Sequence, residues 1–396
     1  MIIHKGFKYR LKPTMEQKKH LLQHAGNTRF LWNHLLSENI NYYKEEGKFN
    51  FSHVMITSLP KLKEEHEFLK LSVAQSLQTV GRQLDKALRD SFKKIKGFPK
   101  FKKKLLERDS FHCPQKWGLH RKDVQIPKLG KVQWIKHRAL QGKPKSITIT
   151  QDGNHWYCSV LCEVEIKERE NKPDNIVGID VGLKEFAVLS DGEVIHNERI
   201  TKKYEDKLSK EQRELSRKVK GSQNRYKQRR VVQNIHRSIR NSRRDFLHKT
   251  THNMITKYDG FCLENLNTKG MMKNHKLSKS IADASWHEFK RQLEYKSLWN
   301  FKHFVEIDRW FASTKTCSSC GNEQDLLLSD RMYECECGLS LDRDLNASMN
   351  ILSKGLDTLG QRGINVCGDE KVHAILDSMN PERQVIVDEA EKRTYG

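Results

Sequence analysis

Ile176-Val-Gly-Ile-Asp180-Val-Gly182 is a short apolar segment that reads as a buried strand with one carboxylate set into it. Downstream, residues 184–189, a turn at Ser190-Asp191-Gly192 and residues 193–196 read as two further strands of a meander. Residues 202–257 read as helical throughout, with Ile235, Ile239, Phe246, Thr250 and Met254 as a narrow apolar stripe. Gly260-Phe-Cys-Leu-Glu264 is a second apolar strand, and it too ends in an acid. Helical periodicity returns at residues 286–299, and a last helix is expected from about Asp342.

Working back from Asp180, residues 167–175 form a charged linker, and residues 147–166 alternate with period two. That alternation puts Trp156, Cys158, Val160, Cys162 and Val164 on one strand face, so both cysteines are expected in a core. Residues 2–11 read as a strand, followed by a helix whose Thr14 and Gln17 are spaced as a capping box, with Leu21, Leu22, Ala25, Arg29 and Trp32 down one face. Helical patterns run to about Lys96, where glycine, proline and five lysines over residues 96–104 break them.

Three acids stand out by setting. Asp180 and Glu264 sit in apolar strands, and Asp344 lies at the opening of the last helix, in Leu341-Asp-Arg-Asp-Leu-Asn-Ala-Ser-Met-Asn350. An ionised carboxylate in apolar surroundings costs several kcal/mol unless something cationic satisfies it. For any one of them alone, a salt bridge or a helix cap is a sufficient account. Together they fit a ribonuclease H-like sheet, with the first acid on strand one, the second on a later strand and the third on a C-terminal helix. Phosphodiester hydrolysis gives three carboxylates a reason to meet, because two Mg²⁺ about 4 Å apart need hard oxygen ligands. Asp342 is the rival for the third position, although just before the helix it is better placed to cap it. Ala347 and Ser348 are expected to let a scissile strand approach; Leu345, Met349 and Leu352 are expected in the core. Arg343 and Asn346 are candidates for positioning phosphate or a ligand, or for plain surface roles.

Cys317-Ser-Ser-Cys320-Gly and Cys335-Glu-Cys337-Gly stand 14 residues apart. Four thiolates in two pairs on turn-forming glycines match a closed, structural Zn²⁺ site; two disulfides are the alternative. The second pair is one residue short of CxxC. Cys113, Cys262 and Cys367 lack neighbours at ligand spacing and are expected to be packing residues.

Lysine and arginine number 73 against 50 acidic residues, a formal charge of +23, which calls for a polyanionic partner. No apolar run reaches the roughly 18 residues of a membrane span, and the opening residues lack a signal-peptide core, so a cytoplasmic protein is expected. Nucleic acid is the partner left.

GIDVG at 178–182, LENLN at 263–267, TCSSCG at 316–321 and CGLSLDRDLNASMNI at 337–351 occur here in the order seen in TnpB proteins. FKYRLKPTMEQ at 7–17, GNTRFLWNHLL at 26–36 and KGFPKFKKK at 96–104 resemble that family as well. The chain thus resembles the RuvC-like nucleases of bacterial insertion sequences, relatives of the type V CRISPR effectors. The resemblance implies an α+β multidomain chain. A β-barrel-like wedge domain would take residues 1–12 and 116–172, and a helical recognition lobe residues 13–115. A RuvC-like nuclease domain would take 173–312 and 341–366, with a zinc-ribbon insertion at 313–340 and a disordered tail at 367–396. It implies a guide RNA encoded by the element, double-stranded target DNA, a short target-adjacent motif read by protein, and base pairing for the rest. By position it makes Asp180, Glu264 and Asp344 the Mg²⁺-binding catalytic acids, and Cys317, Cys320, Cys335 and Cys337 the Zn²⁺ ligands. Rival readings are an RNA-guided DNA-binding repressor, expected to lack one of these acids, a guide-independent RuvC-like nuclease or transposase, and an RNA-packaging protein. Residues 202–249 and 96–104 are the expected backbone contacts.

Overall fold

A computed structural model of the chain describes residues 1–104, 109–167, 174–327 and 330–361. Most of the charged linker and the whole of the expected tail lie outside the described residues, as does Cys367. The chain divides into two compact units, Met1–Lys167 and Glu168–Gly396.

The first unit joins a sheet to a helical layer. Its strands are β1 (Ile2–Lys12), β2 (Ser110–Cys113), β3 (Gly118–Leu119), β4 (Asp123–Ile126), β5 (Gly130–Ile135), β6 (Lys143–Asp152) and β7 (His155–Glu165). They form one antiparallel sheet in the order β2-β6-β7-β1-β5-β4-β3. Ser110–Cys113, expected in the helical lobe, therefore belongs to the sheet. The period-two reading of β7 holds, since Trp156, Cys158, Val160, Cys162 and Val164 are all buried. Helix Met15–Glu46 starts at the expected capping box, with Thr14 and Gln17 bonded reciprocally. Leu21, Ala25 and Trp32 are buried, whereas Leu22 is exposed and Arg29 turns to pair with Asp109 at 2.5 Å. The helical layer closes on Leu31, Leu35, Leu69, Leu77 and Leu84, and its last helix is Ala74–Phe92, four residues shorter than its periodicity suggested.

The second unit holds β8 (Ile176–Val181), β9 (Glu185–Leu189), β10 (Val194–His196), β11 (Gly260–Glu264) and β12 (His303–Ile307), in the order β10-β9-β8-β11-β12. The expected meander β8-β9-β10 is antiparallel, while β8, β11 and β12 run parallel, joined through helical crossovers. Alternation along the strands separates two faces. Val177, Ile179, Phe261 and Leu263 pack with residues of helices Gln223–Lys257 and Trp286–Trp299. Cys262, Val305 and Ile307 face helix Arg343–Gln361 through Ile351, Leu352 and Leu359.

Two readings of this unit need correction. The helical stretch 202–257 is broken between Glu205–Arg217 and Gln223–Lys257, where Gly221 takes φ 87° and Ser222 caps the second helix. The buried stripe of that helix runs Val232, Ile235, Ile239, Leu247, Thr251, Met254, so Phe246 and Thr250 flank it. The buried positions step by eight residues from Ile239 to Leu247, where the expected stripe stepped by seven to Phe246. Finally, β13 (Met332–Glu334) and β14 (Ser340–Asp342) form a small hairpin over Cys317, Tyr333, Leu339 and Leu341.

Candidate active site and cysteine cluster

The strand pattern decides which way the acids point. Gly178 and Asp180 share one face of β8, Cys262 and Glu264 share the same face of β11, and the parallel register sets Cys262 beside Gly178. That face is the one covered by helix Arg343–Gln361. The covering is very close. A Cβ on Gly178 would stand 2.1 Å from the Ser348 carbonyl oxygen, and one on Gly355 would stand 2.1 Å from Cys262 Sγ. Asp344 is one turn before Ser348, on the stretch of helix leading to Gly178, although the three carboxylates are not gathered as a close ligand group.

They are still electrostatically coupled. Burial pushes the Asp180 carboxyl up to about 8, and the charges of Glu264 and Asp344 push the same way against Arg343. Glu264 is also raised by burial, opposed by the Ser313 hydroxyl, which donates to its carboxylate. Ser313 is itself buried, and its carbonyl accepts from Asn350 Nδ2 at 2.8 Å. No sequence pattern marked Ser313. Asp342 Oδ1 accepts the backbone N–H groups of Asp344 at 2.9 Å and Leu345 at 3.2 Å, so it is the helix cap and leaves Asp344 unengaged by the helix.

Ala347 and Ser348 cannot receive a nucleic-acid strand. Both are fully buried, because their small size serves the approach of the helix to Gly178. Asn346 is buried too, tying the cysteine loop to the helix: Nδ2 donates to Thr316 O at 2.8 Å, and Oδ1 accepts from Ser318 N at 2.9 Å. Arg343 Nε lies 3.8 Å from Asp344 Oδ1 and its Nη1 donates to Leu327 O at 3.3 Å. Met349 and Leu352 are core, as expected, and Leu345 packs against the cysteine hairpin.

The four cysteines converge. Their sulfur atoms all lie within 4.8 Å of one another, and among the described residues no other group of three or more potential ligands is gathered this way. Cys317 and Cys337 sulfurs are 3.7 Å apart, and those of Cys320 and Cys335 are 3.6 Å apart. A tetrahedral ion with bonds of about 2.3 Å has edges of about 3.8 Å. Gly321 (φ 76°) and Gly338 (φ 91°) make the two turns, with Gly321 N–H donating to Cys317 O and Gly338 N–H to Cys335 O. The CxC spacing therefore completes the set. Cys337 is brought down to about 7, first by the backbone N–H of Leu339. Cys113, Cys158 and Cys262 are buried thiols pushed up to about 11, 12 and 12 by desolvation, as packing residues should be.

Several basic residues in the expected contact regions have structural partners. Arg225 donates to the carbonyls of Leu215 and Lys218, Arg243 pairs with Asp283 at 2.7 Å, and Lys102 lies 3.7 Å from the Trp32 ring centroid.

A protein of Streptomyces pristinaespiralis, provisionally named an RNA-guided DNA endonuclease, is 32% identical over this entire chain and 98% of its own length. InsQ of Escherichia coli K12, with the same provisional name, is 32% identical over 88% of this chain and 92% of its own. The chain belongs to the TnpB family. Models described as "Probable transposase" and "Cas12f1-like, TNB domain" match residues 159–275 and 286–351. A third, described as a helix-turn-helix domain, matches residues 1–48, which here are one strand and one uninterrupted 32-residue helix. This TnpB chain also shares its fold with Cas12f1 as solved in a complex with sgRNA and target DNA. The TM-score is 0.57 at 13% identity, over 88% of this chain and 98% of that one. No described helix is long and apolar enough to cross a membrane.

Proposed function

We propose that this TnpB chain is an RNA-guided endonuclease that hydrolyses DNA phosphodiester bonds at Asp180, Glu264 and Asp344, beside a short target-adjacent motif. The observation that carries the reading is the raised carboxyl of Asp180, held up by burial and by two acids from other elements. Such a cluster is unfavourable by itself and becomes favourable around hard cations. The donor set suits Mg²⁺: two carboxylates on neighbouring parallel strands and a third from the helix that covers them, with Glu264 held by a hydroxyl. When bound there, a pair of Mg²⁺ ions supplies the charge that activates water and stabilises the leaving oxygen. The chain's own contribution is placement. Ser313 fixes one Glu264 oxygen, Asp342 takes over the helix N–H groups that would otherwise engage Asp344, and the sheet edge keeps Asp180 half-buried.

The four cysteines would hold a structural Zn²⁺ that folds the hairpin, since a closed four-thiolate site leaves no position for substrate. The names of the relatives support a guide RNA and DNA as partners, the +23 charge suits both, and the DNA is read as double-stranded. The N-terminal sheet is read as the wedge and the helical layer as the recognition lobe, with the guide encoded by the element itself.

Two measurements test this. Asp180→Ala is expected to lose cleavage by about 10³-fold or more while retaining RNA. RNA co-purified with the wild type should be one abundant species ending in sequence that flanks the gene; heterogeneous cellular RNA would remove the guided part of the reading.

A further inference from the structure

Six of the seven tryptophans are buried or half-buried, whereas Trp310 is 87% exposed. An indole so fully in water is unusual, because its transfer out of water is among the most favourable of any side chain. Its backbone, by contrast, is held firmly. Trp310 N–H donates to Asp308 Oδ1 at 2.7 Å, and Phe311 N–H closes the turn onto Asp308 O at 3.3 Å. The neighbouring Arg309 is clamped to Asn265, with Nε donating to its carbonyl at 3.1 Å and Nη2 to Oδ1 at 3.3 Å.

Both ends of this turn are fastened to Glu264. Ile307, just before it, is the β12 register partner of Glu264, and Ser313, just after it, donates its hydroxyl to the Glu264 carboxylate. The indole thus stands at the tip of a short loop anchored on one of the three candidate catalytic acids. Beside it opens a cleft of about 630 Å³ lined in part by Asn265, Glu294, Glu306 and Asp308. Glu306 is paired with Lys290, and Asp308 is engaged by the turn itself. With Glu306 paired to Lys290, the cleft keeps Glu294 and Asp308 against the single cation Arg309, beside apolar Phe304 and Ile307, so it favours an occupant that presents an uncharged, flat face to Trp310. Among parts of a nucleic acid only a base does that, and base–aromatic stacking needs an unpaired strand.

We propose that Trp310 is a stacking platform for one base of the single strand that enters the Asp180–Glu264–Asp344 site, next to the bond that is cut. This rests on the nuclease reading for the identity of the strand, but it can be tested without cleavage. The full-length protein in EDTA is irradiated with a short oligodeoxynucleotide carrying one 5-iodouracil, and adducts are mapped by peptide mass spectrometry. The expected adduct falls on the peptide containing Trp310. Trp310→Ala should lose that adduct and bind the oligonucleotide roughly 10-fold more weakly, whereas Trp310→Phe keeps most of both. With the side chain in water, neither variant should shift the melting temperature. Adducts only at other positions, with unchanged binding by Trp310→Ala, overturn the proposal. So does a self-association lost on Trp310→Ala while cross-linking persists, which would make the indole an interface between copies. A Trp310 adduct in a wild type that cuts no DNA with Mg²⁺ would sink the nuclease reading and leave the stacking site standing. Normal cleavage by Trp310→Ala without a Trp310 adduct in the wild type would do the reverse.

Discussion

The second unit carries two sets of ligand-type side chains, and they are built in opposite ways. The cysteines lie within residues 317–337, on two glycine turns, one in the loop at 317–321 and one at the tip of the β13–β14 hairpin, with all sulfurs within 4.8 Å of one another. The three acids come from β8, β11 and the last helix, so only the completed sheet and its covering helix could serve to bring them to one place, and they are less tightly gathered than the sulfurs. A local set of soft ligands can be closed and can fold its own surroundings. A set spread over three elements stays open at the sheet edge and costs stability until cations arrive. On the proposed reading, the contrast separates a part that holds structure from a part that performs chemistry.

The largest expected effects follow from that separation. Cys320→Ser should lose about one equivalent of zinc and lower stability by about 3 kcal/mol or more, a fall in Tm of roughly 6–12 °C for a unit of this size. Asp180→Ala should do the opposite, losing cleavage while keeping both zinc and fold. Metal analysis, thermal melts and single-turnover cleavage on the same two proteins check this. If Cys320→Ser keeps zinc and Tm, the hairpin is not a metal-folded element; if Asp180→Ala still cuts, Asp180 is not in the site.

A smaller effect is expected from pH. The Asp180 carboxyl is raised from 3.8 to about 8, so the folded, metal-free protein holds its proton more tightly than the unfolded chain does. This contribution to stability is complete below about pH 4 and is lost as pH rises toward 8. In EDTA, Asp180→Asn should therefore be more stable than the wild type by about 2 kcal/mol at pH 8, the difference shrinking toward pH 4. Mg²⁺ should stabilise the wild type increasingly over the same interval, because binding displaces the proton. Melting curves at several pH values with and without Mg²⁺ decide it. A wild type equal to Asp180→Asn at pH 8 in EDTA would mean that the carboxylates do not strain one another.

How much of this was legible depended on how local each cause was. Strand runs such as residues 176–181 and 260–264 announced themselves, because each is a short apolar run with its whole signal in adjacent residues. The Thr14–Gln17 capping box was readable for the same reason, being contained in four residues. Burial across elements was not readable. Ala347 and Ser348 looked like room for substrate, and only the proximity of Gly178 shows that the room is already filled. Asn346 looked like a ligand-orienting amide and proved to be the tie between helix and cysteine loop. The CxC pair looked irregular until Gly338 supplied the turn that returns Cys337 to the other sulfurs.

Ser313 is the residue the sequence hid most completely, and it gives the smallest and most discriminating prediction. It belongs to the loop that leads into the cysteines, yet its hydroxyl serves Glu264, so it is a side chain that links the two sets compared above. As a positioning residue it should tune the site without building it. Ser313→Ala should raise the Mg²⁺ concentration needed for cleavage by about 10-fold, as loss of a hydrogen bond to a metal-binding carboxylate typically weakens metal affinity. Ser313→Thr, which keeps the hydroxyl, should recover most of that loss, and zinc content should not change in either. A role confined to loop packing would instead lower Tm in both variants and leave the Mg²⁺ dependence alone. Cleavage titrated against Mg²⁺ therefore separates the two, and an unchanged titration for Ser313→Ala would show that Glu264 needs no such support.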